Sequence, residues 1–247
     1  LKAKKVIIKA SEVAACAGLH TYKPTWEVLD DMWKKYNPGN FRGETRNDRN
    51  LKALESSEEA QKLLKAVLKL EPKNSSEVQD LVSISVEAIQ RDEALTEPQK
   101  TLVCDHIRSM IYTNHGTRSE DITADLDESE LHKDETFYTY PVVNIEGTQY
   151  EIVGRIDRYQ KNEDGSKTLV EIKNRTRGLF NKVRVYEMIQ VQAYLQMTGM
   201  PEARLIEQYN NTRKSYAIEK DQESWKDTVV PKLIEFCKTL HHNMSMA

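Results

Sequence analysis

The sequence is poor in the residues that mark several common classes of protein. Its three cysteines (Cys16, Cys104, Cys237) are far apart and odd in number. That fits reduced thiols in an intracellular protein, and argues against a disulfide frame or a cysteine-built zinc cluster. Six histidines show no ligand spacing, and His241-His242 is a solvated pair near the tail. No apolar run approaches the ~18 residues of a membrane-spanning helix, so a soluble protein of cytoplasm or nucleus, or of a virus-infected cell, is expected. Leu1-Lys2-Ala3-Lys4-Lys5 leads into no apolar signal core. With Leu1 in place of an initiator methionine, the chain reads as a fragment or a trimmed product. The Walker A loop, the dinucleotide glycine fingerprint and the Gly-x-Ser-x-Gly elbow are missing, as are repeats and low-complexity tracts. Positive charge is not in surplus either: 36 Lys and Arg face 39 Asp and Glu, a net charge of −3. Any surface for a polyanion must therefore be local.

What is present is an ordinary globular balance, 30% charged and 38% apolar over 247 residues, enough for one large domain with a substantial core. Ser11 reads as the N-cap of a short helix over 12–16 that ends near Gly18. Pro24 opens a second helix with Trp26, Leu29, Met32 and Trp33 on one face. Residues 37–50, with Arg42, Arg46 and Arg49, read as a polar loop that either meets a polyanion or lies free on the surface. Helices follow at about 56–70, 75–91 and 96–113, each opened by Ser or Thr with an acid soon after. Leu63, Leu64, Val67, Leu68 and Leu70 face a core or a partner. Gly116 to Glu120 starts a further helix through Ile122 and Leu126. Strands are expected at about 136–146, 149–160, 167–174, 203–210 and 214–219. A helix at 184–198 interrupts them, and a last helix, broken at Pro231, carries Trp225, Val229, Leu233, Ile234 and Phe236. The order predicts a mixed α+β domain: a central mixed sheet of about five strands flanked by helices. Within that single domain we distinguish residues 1–36, a helical elaboration at 37–113 and a sheet-bearing core at 114–247.

One hairpin stands out. Tyr150 to Asp157 and Leu169 to Lys173 are apolar segments joined through Asn162-Glu163-Asp164-Gly165, and Asp-Gly supplies the positive φ of a tight turn. Asp157 and Glu171 interrupt these strands near matching levels, and Lys173, at i+2 from Glu171, projects from the same face. Two acids and an amine on one sheet face suit a hard cation better than a core. A surface hairpin with an alternating salt bridge is the plain alternative.

Gly154-x-x-Asp157 followed by Glu171-x-Lys173 resembles the PD-(D/E)XK nuclease superfamily, with its restriction-endonuclease-like core. The resemblance implies Asp157 and Glu171 as ligands of one or two Mg²⁺ or Mn²⁺ ions, with the Ile172 backbone carbonyl as a third. Lys173 then orients the attacking water and offsets transition-state charge. It sharpens to the lambda-type exonuclease and YqaJ-like viral recombinase branch, which carries Gly-x-x-x-Glu on a helix before the first acidic strand. Gly116 and Glu120 match, making Glu120 a further ligand. That branch also has a Gln-x-Gln helix, matched by Gln190 and Gln192 and then Tyr194. Those glutamines lie about 200° apart on a helix, so only one faces the site squarely; Gln190, sharing its face with Tyr194, is preferred. The opening Ala10-Ser11-Glu12-Val13-Ala14-Ala15 with Gly18-Leu19 and Tyr22-Lys23 is similar too. It implies that Ser11 holds a 5′-phosphate, although Lys4, Lys5 and Lys9 stand where an arginine is usual.

From Lys173 to Arg184 there are basic residues and no acid. Arg175, Arg177, Lys182 and Arg184, with Arg155 beside the first acid, are candidates for phosphate contacts. Phe180, beside Leu179, either wedges against an end base or anchors the loop. The expectation is a metal-dependent DNA exonuclease. The resemblance adds 5′-to-3′ action on duplex DNA with a free 5′-phosphate, in recombination, repair or viral DNA processing. It also adds a single-strand annealing protein as partner and a ring of three copies. The rivals are a RecB-like or mitochondrial-genome-maintenance-type single-strand exonuclease, a related endonuclease and a non-catalytic DNA-binding protein of the same fold. The scattered cysteines argue against an iron–sulfur relative, which needs four clustered ones.

Overall fold

Residues Lys167–Asn174 form the strand on which the molecule is built, because both of its faces are covered. The computed structural model describes residues 5–246; Lys4 lies outside them. In chain order the first part is β1 (Lys5–Lys9), a 3₁₀ turn (Ala10–Glu12), α1 (Val13–Cys16) and α2 (Thr25–Tyr36). Then come α3 (Arg46–Glu55), α4 (Glu58–Val67), α5 (Ser75–Gln90) and α6 (Glu97–Asp125). The sheet region holds β2 (Leu131–His132), β3 (Tyr138–Ile145), β4 (Thr148–Gly154), β5 (Arg158–Lys161) and β6 (Lys167–Asn174). It is completed by α7 (Val185–Thr198), β7 (Glu202–Tyr209) and β8 (Thr212–Glu219), followed by α8 (Gln222–Ser224) and α9 (Val230–Ser245).

The fold is mixed α+β, with a five-stranded sheet in the order β2-β5-β6-β7-β8 and a three-stranded sheet in the order β1-β4-β3. β5 and β6 form an antiparallel hairpin through the expected turn, closed at Gly165 with φ +84° and a Gly165 N–H to Asn162 carbonyl bond of 3.0 Å, but its first strand is Arg158–Lys161 and not the expected Tyr150–Asp157. β6 and β7 run parallel, so their connection must cross over, and α7 makes that crossing. Such a strand is buried on both sides and reads as a near-continuous apolar run; Thr168 to Ile172 are all buried. Alternation then assigns the faces. Leu169 joins the main core with Val191 and Leu195 of α7, whereas Val170 and Ile172 pack with Ile206 and Ala124 of α6.

The helical block has a hydrophobic core of its own, with Leu54, Val78, Val82, Ile89, Val103, Ile107 and Ile111 at its centre. It is pinned to the segment after β6. The Ser75 hydroxyl donates to the Arg175 carbonyl (3.0 Å), and the Gln79 amide donates to the Thr176 carbonyl (3.0 Å).

Several expectations need correction. The strand predicted at 149–160 is two strands in two sheets, parted at residues 155–157. The predicted loop at 37–50 ends at Thr45, whose hydroxyl accepts from the Asp48 N–H (3.2 Å) while Asp48 accepts from the Thr45 N–H (3.0 Å). This capping box starts α3, so Arg46 and Arg49 are helical. The two helices predicted on either side of Gly116 are one 29-residue helix, α6. An interior glycine costs a helix about 1 kcal/mol, which packing on the helical block and on β6 outweighs. Pro231 does not break the last helix. It sits in the first turn of α9, where an N–H is not needed, after a widened π turn over Trp225–Val229. β1 had no counterpart in the sequence reading; it pairs in parallel with β4 from the far end of the chain.

Candidate active site

The site forms where β5 starts and β6 ends. Arg158 pairs with Val170, so Asp157, one residue before, falls opposite Glu171. No strand pairing continues there. Instead the Asp157 carboxylate reaches across and accepts the Ile172 N–H at 2.9 Å. In an antiparallel ladder one residue's N–H and C=O point to the same neighbour, so the Ile172 carbonyl faces this gap as well.

Glu171 is buried, with 1% of its surface exposed. Its Oε1 accepts from Lys173 Nζ at 2.6 Å and from Gln190 Nε2 at 3.1 Å. Gln190 also accepts from Lys173 (3.3 Å) and donates to the Tyr194 hydroxyl (3.3 Å). Glu171, Lys173, Gln190 and Tyr194 are therefore one hydrogen-bonded group on the α7 face of the sheet. Gly154 makes this packing possible. A Cβ there would lie 2.7 Å from Tyr194 Cε1 and 2.9 Å from Ala10 Cβ.

Electrostatics set the group apart. Burial, then the charge of Asp157, raises the Glu171 carboxyl to about 7, with Lys173 opposing. Burial, then the charge of Glu120, raises Asp157 to about 6. Burial pulls the Lys173 ammonium down, but Glu171 and Asp157 outweigh it and hold it above its usual value. Burial also raises the Tyr194 phenol. A buried carboxylate facing a half-buried one, both raised, is the electrostatic pattern of a functional site that suits a cation.

Glu120 reaches this region from the opposite face. It lies on α6, half-buried, and its Oε1 accepts from Arg158 Nη1 at 3.3 Å. Arg158, buried because it shares the α6 face with Val170, also bonds Asp121 and donates to the Asp157 carbonyl at 2.6 Å. Nothing in the sequence reading singled Arg158 out; a basic residue directly after the acid of the first strand was the available signal. Among the described residues, no three His, Cys, Asp or Glu side chains converge closely enough to form a ready-made metal cage. The donors nonetheless suit a hard divalent cation: two opposed carboxylates, a backbone carbonyl aimed at the gap, and Glu171 Oε2, buried without a hydrogen-bond partner.

The remaining candidates divide. Arg175 is not free to grip a phosphate. Its guanidinium is clamped by Glu187 (2.6 and 3.1 Å) and Glu207 (2.7 Å), both buried, and stacks on Phe180 at 4.0 Å. Arg184 also lies over that ring at 4.4 Å, so Phe180 is engaged by two guanidinium groups and anchors the loop. The basic run lacks acids in sequence, but the fold brings Glu187 and Glu207 to it. Gln192 also leaves the site. It donates to the Glu219 carbonyl (2.7 Å) and accepts from the Asp221 N–H (2.9 Å), holding the end of β8. Arg155 is paired with Glu135 at 2.8 Å. Arg177 donates to the Tyr112 hydroxyl at 3.2 Å, while Lys182 is exposed. Ser11 is exposed within the 3₁₀ turn and is not a helix N-cap; the flanking caps are Lys9 and Glu12.

No protein-family model matches this chain, and no curated protein matches it. Solved structures are similar over about three quarters of it. SSO0001 has a TM-score of 0.44 at 19% identity, covering 72% of this chain and 85% of its own. The alkaline exonuclease LHK-Exo of Laribacter hongkongensis has a TM-score of 0.41 at 12% identity, covering 74% and 94%. Its complex with dAMP gives 0.41 at 14%, covering 74% and 87%. At these scores the functional reading stands on the side chains. No helix among the described residues is long and apolar enough to cross a membrane.

Proposed function

We propose that the chain is a metal-dependent deoxyribonuclease that hydrolyses phosphodiester bonds at Asp157, Glu171 and Lys173. The observation that carries this reading is the buried Glu171. It holds Lys173 and Gln190 with one oxygen, faces Asp157 across the strand gap and keeps its other oxygen unpartnered. A core has no use for that arrangement, since an unpaired buried carboxylate oxygen carries a desolvation penalty.

Asp157, Glu171 and the Ile172 carbonyl would hold Mg²⁺ or Mn²⁺, with Glu120 as the outlying acid. When bound, such an ion supplies a nucleophilic hydroxide and neutralises charge on the phosphate. Lys173 acts on the other side of the balance. Its ammonium, fixed by Glu171 and Gln190, is a point charge placed for the attacking water and the phosphoryl oxygens. Gln190 presents an amide that can accept from that water. Hydrolysis forms a phosphorus–oxygen bond to water and breaks the bond to the leaving sugar oxygen, which takes up a proton.

We read the substrate as DNA and the mode as exonucleolytic, 5′ to 3′ on a duplex end, in recombination, repair or viral DNA processing. A ring of three copies and an annealing partner belong to the same proposal. The motif set at Gly116, Glu120, Asp157, Glu171, Lys173 and Gln190 supports it. The test uses linear duplexes labelled at either end, with 5′-phosphate or 5′-hydroxyl, beside closed circular DNA. Loss of the 5′ label in mononucleotides, faster with 5′-phosphate, is expected. Cleavage of the closed circle would replace the exonuclease with an endonuclease.

A further inference from the structure

Near this site an aromatic group stands fixed at the surface. Gly18, with φ +68°, ends α1 and releases the chain into the loop before α2. There His20 Nδ1 accepts the N–H groups of Tyr22 (3.1 Å) and Lys23 (3.0 Å), which locks the imidazole in place. An Nδ1 that accepts two N–H groups leaves the ring proton on Nε2, and burial, then the charge of Lys23, lowers the His20 pKa. That ring stacks on Tyr186 with centroids 4.4 Å apart and planes 23° apart. Tyr22 meets both rings edge-on, at 6.4 Å from His20 and 6.1 Å from Tyr186, and remains 68% exposed.

Placement gives this group a use. Tyr186 lies on α7 one turn before Gln190, and Tyr186, Gln190 and Tyr194 share a face at i, i+4 and i+8. Four residues of helix advance about 6 Å, less than two phosphate spacings of a stacked strand at about 3.4 Å each. Arg184, over Phe180, acts electrostatically on Tyr186, and Lys23, 3.8 Å from Glu12, acts on His20, so positive charge stands near the rings. Aromatic faces next to cations are what unpaired bases stack on, whatever their sequence. Bases within a duplex are stacked on both sides and offer no such face.

Building on the nuclease reading above, we propose that Tyr22, backed by His20 and Tyr186, is a stacking platform for an unpaired nucleobase beside the scissile phosphodiester. The substrate engaged by the site is then a single-stranded end or the frayed end of a duplex.

The test is binding, in EDTA, of a short single-stranded DNA carrying 2-aminopurine, and of the same strand with abasic residues. The 2-aminopurine fluorescence is expected to be quenched by the parent protein and not by Tyr22→Ala. Tyr22→Ala should weaken binding of the base-bearing strand about tenfold, as loss of one stacked base does, and Tyr22→Trp should restore it. On the abasic strand Tyr22→Ala should cost nothing further. Equal affinity of parent and Tyr22→Ala for the base-bearing strand would overturn the platform. So would an equal loss on the abasic strand, which would point to a backbone contact or to damage. Quenching by a parent protein that cleaves no DNA with Mg²⁺ would sink the nuclease reading and keep the platform; cleavage without quenching would do the reverse.

Discussion

Lys173 Nζ lies 2.6 Å from Glu171 Oε1, two residues back along the same strand. The pair is not the exposed salt bridge that Glu-x-Lys usually makes, because Glu171 is sealed beneath α7 and Gln190 bridges both groups. An exposed pair would contribute about 0–1 kcal/mol. This one leaves a carboxylate raised to about 7, which is a poor way to stabilise a fold and a sound way to await a cation.

The two glutamines of α7 should separate cleanly. Gln190→Ala is expected to lower the rate of DNA cleavage at least tenfold with little change in melting temperature. Gln192→Ala leaves the Glu219 carbonyl and the Asp221 N–H without their partner, so it should lose about 1–3 kcal/mol of stability. Steady-state cleavage and thermal melts of both variants decide it; equal behaviour would contradict the face assignment.

Stability should depend on pH with a definite sign. Asp157 and Glu171 have folded-state pKa values of about 6 and about 7, above those of free carboxyls. The folded state therefore holds more protons, and without metal the stability carried by these groups is present at low pH and lost as pH rises through about 7. Added Mg²⁺ binds the ionised pair, so it should raise the melting temperature more at pH 8 than at pH 5.5. An equal rise at both values would count against these carboxylates as ligands.

Arg175→Ala is expected to act on the fold before it acts on DNA. Removing the guanidinium strands Glu187 and Glu207 in the interior, which costs about 3–5 kcal/mol. Urea unfolding should show the loss, and the DNA affinity of the folded fraction should hardly change. A variant of parental stability with weakened, salt-sensitive DNA binding would restore Arg175 to the phosphate path.

Much of the site could be read from the sequence because it is local. Asp-Gly set the hairpin register, period-2 alternation put Glu171 and Lys173 on one face, and helical periodicity favoured Gln190 over Gln192. Gly154 earned its place through contacts with Ala10 and Tyr194. What escaped is non-local. Whether Arg175 faces solvent depends on Glu187 and Glu207, which only the crossover through α7 and the parallel β7 bring near. Arg158 is buried by a strand register and a distant helix, and β1 finds its partner in β4, past the whole helical block. The continuity of α6 through Gly116 was hidden for the same reason, since tertiary packing overrides a weak local preference.

The central claim rests on Lys173, on Glu171 to which it is bonded, and on Asp157 opposite. End-labelled linear duplex DNA should be incubated with the parent chain, with Lys173→Ala and with Asp157→Asn, each in Mg²⁺ and in EDTA. Mg²⁺-dependent hydrolysis by the parent is expected, abolished by EDTA and reduced by at least a hundredfold in both variants, with Asp157→Asn melting no lower than the parent. Lys173→Ala cleaving as fast as the parent would contradict it.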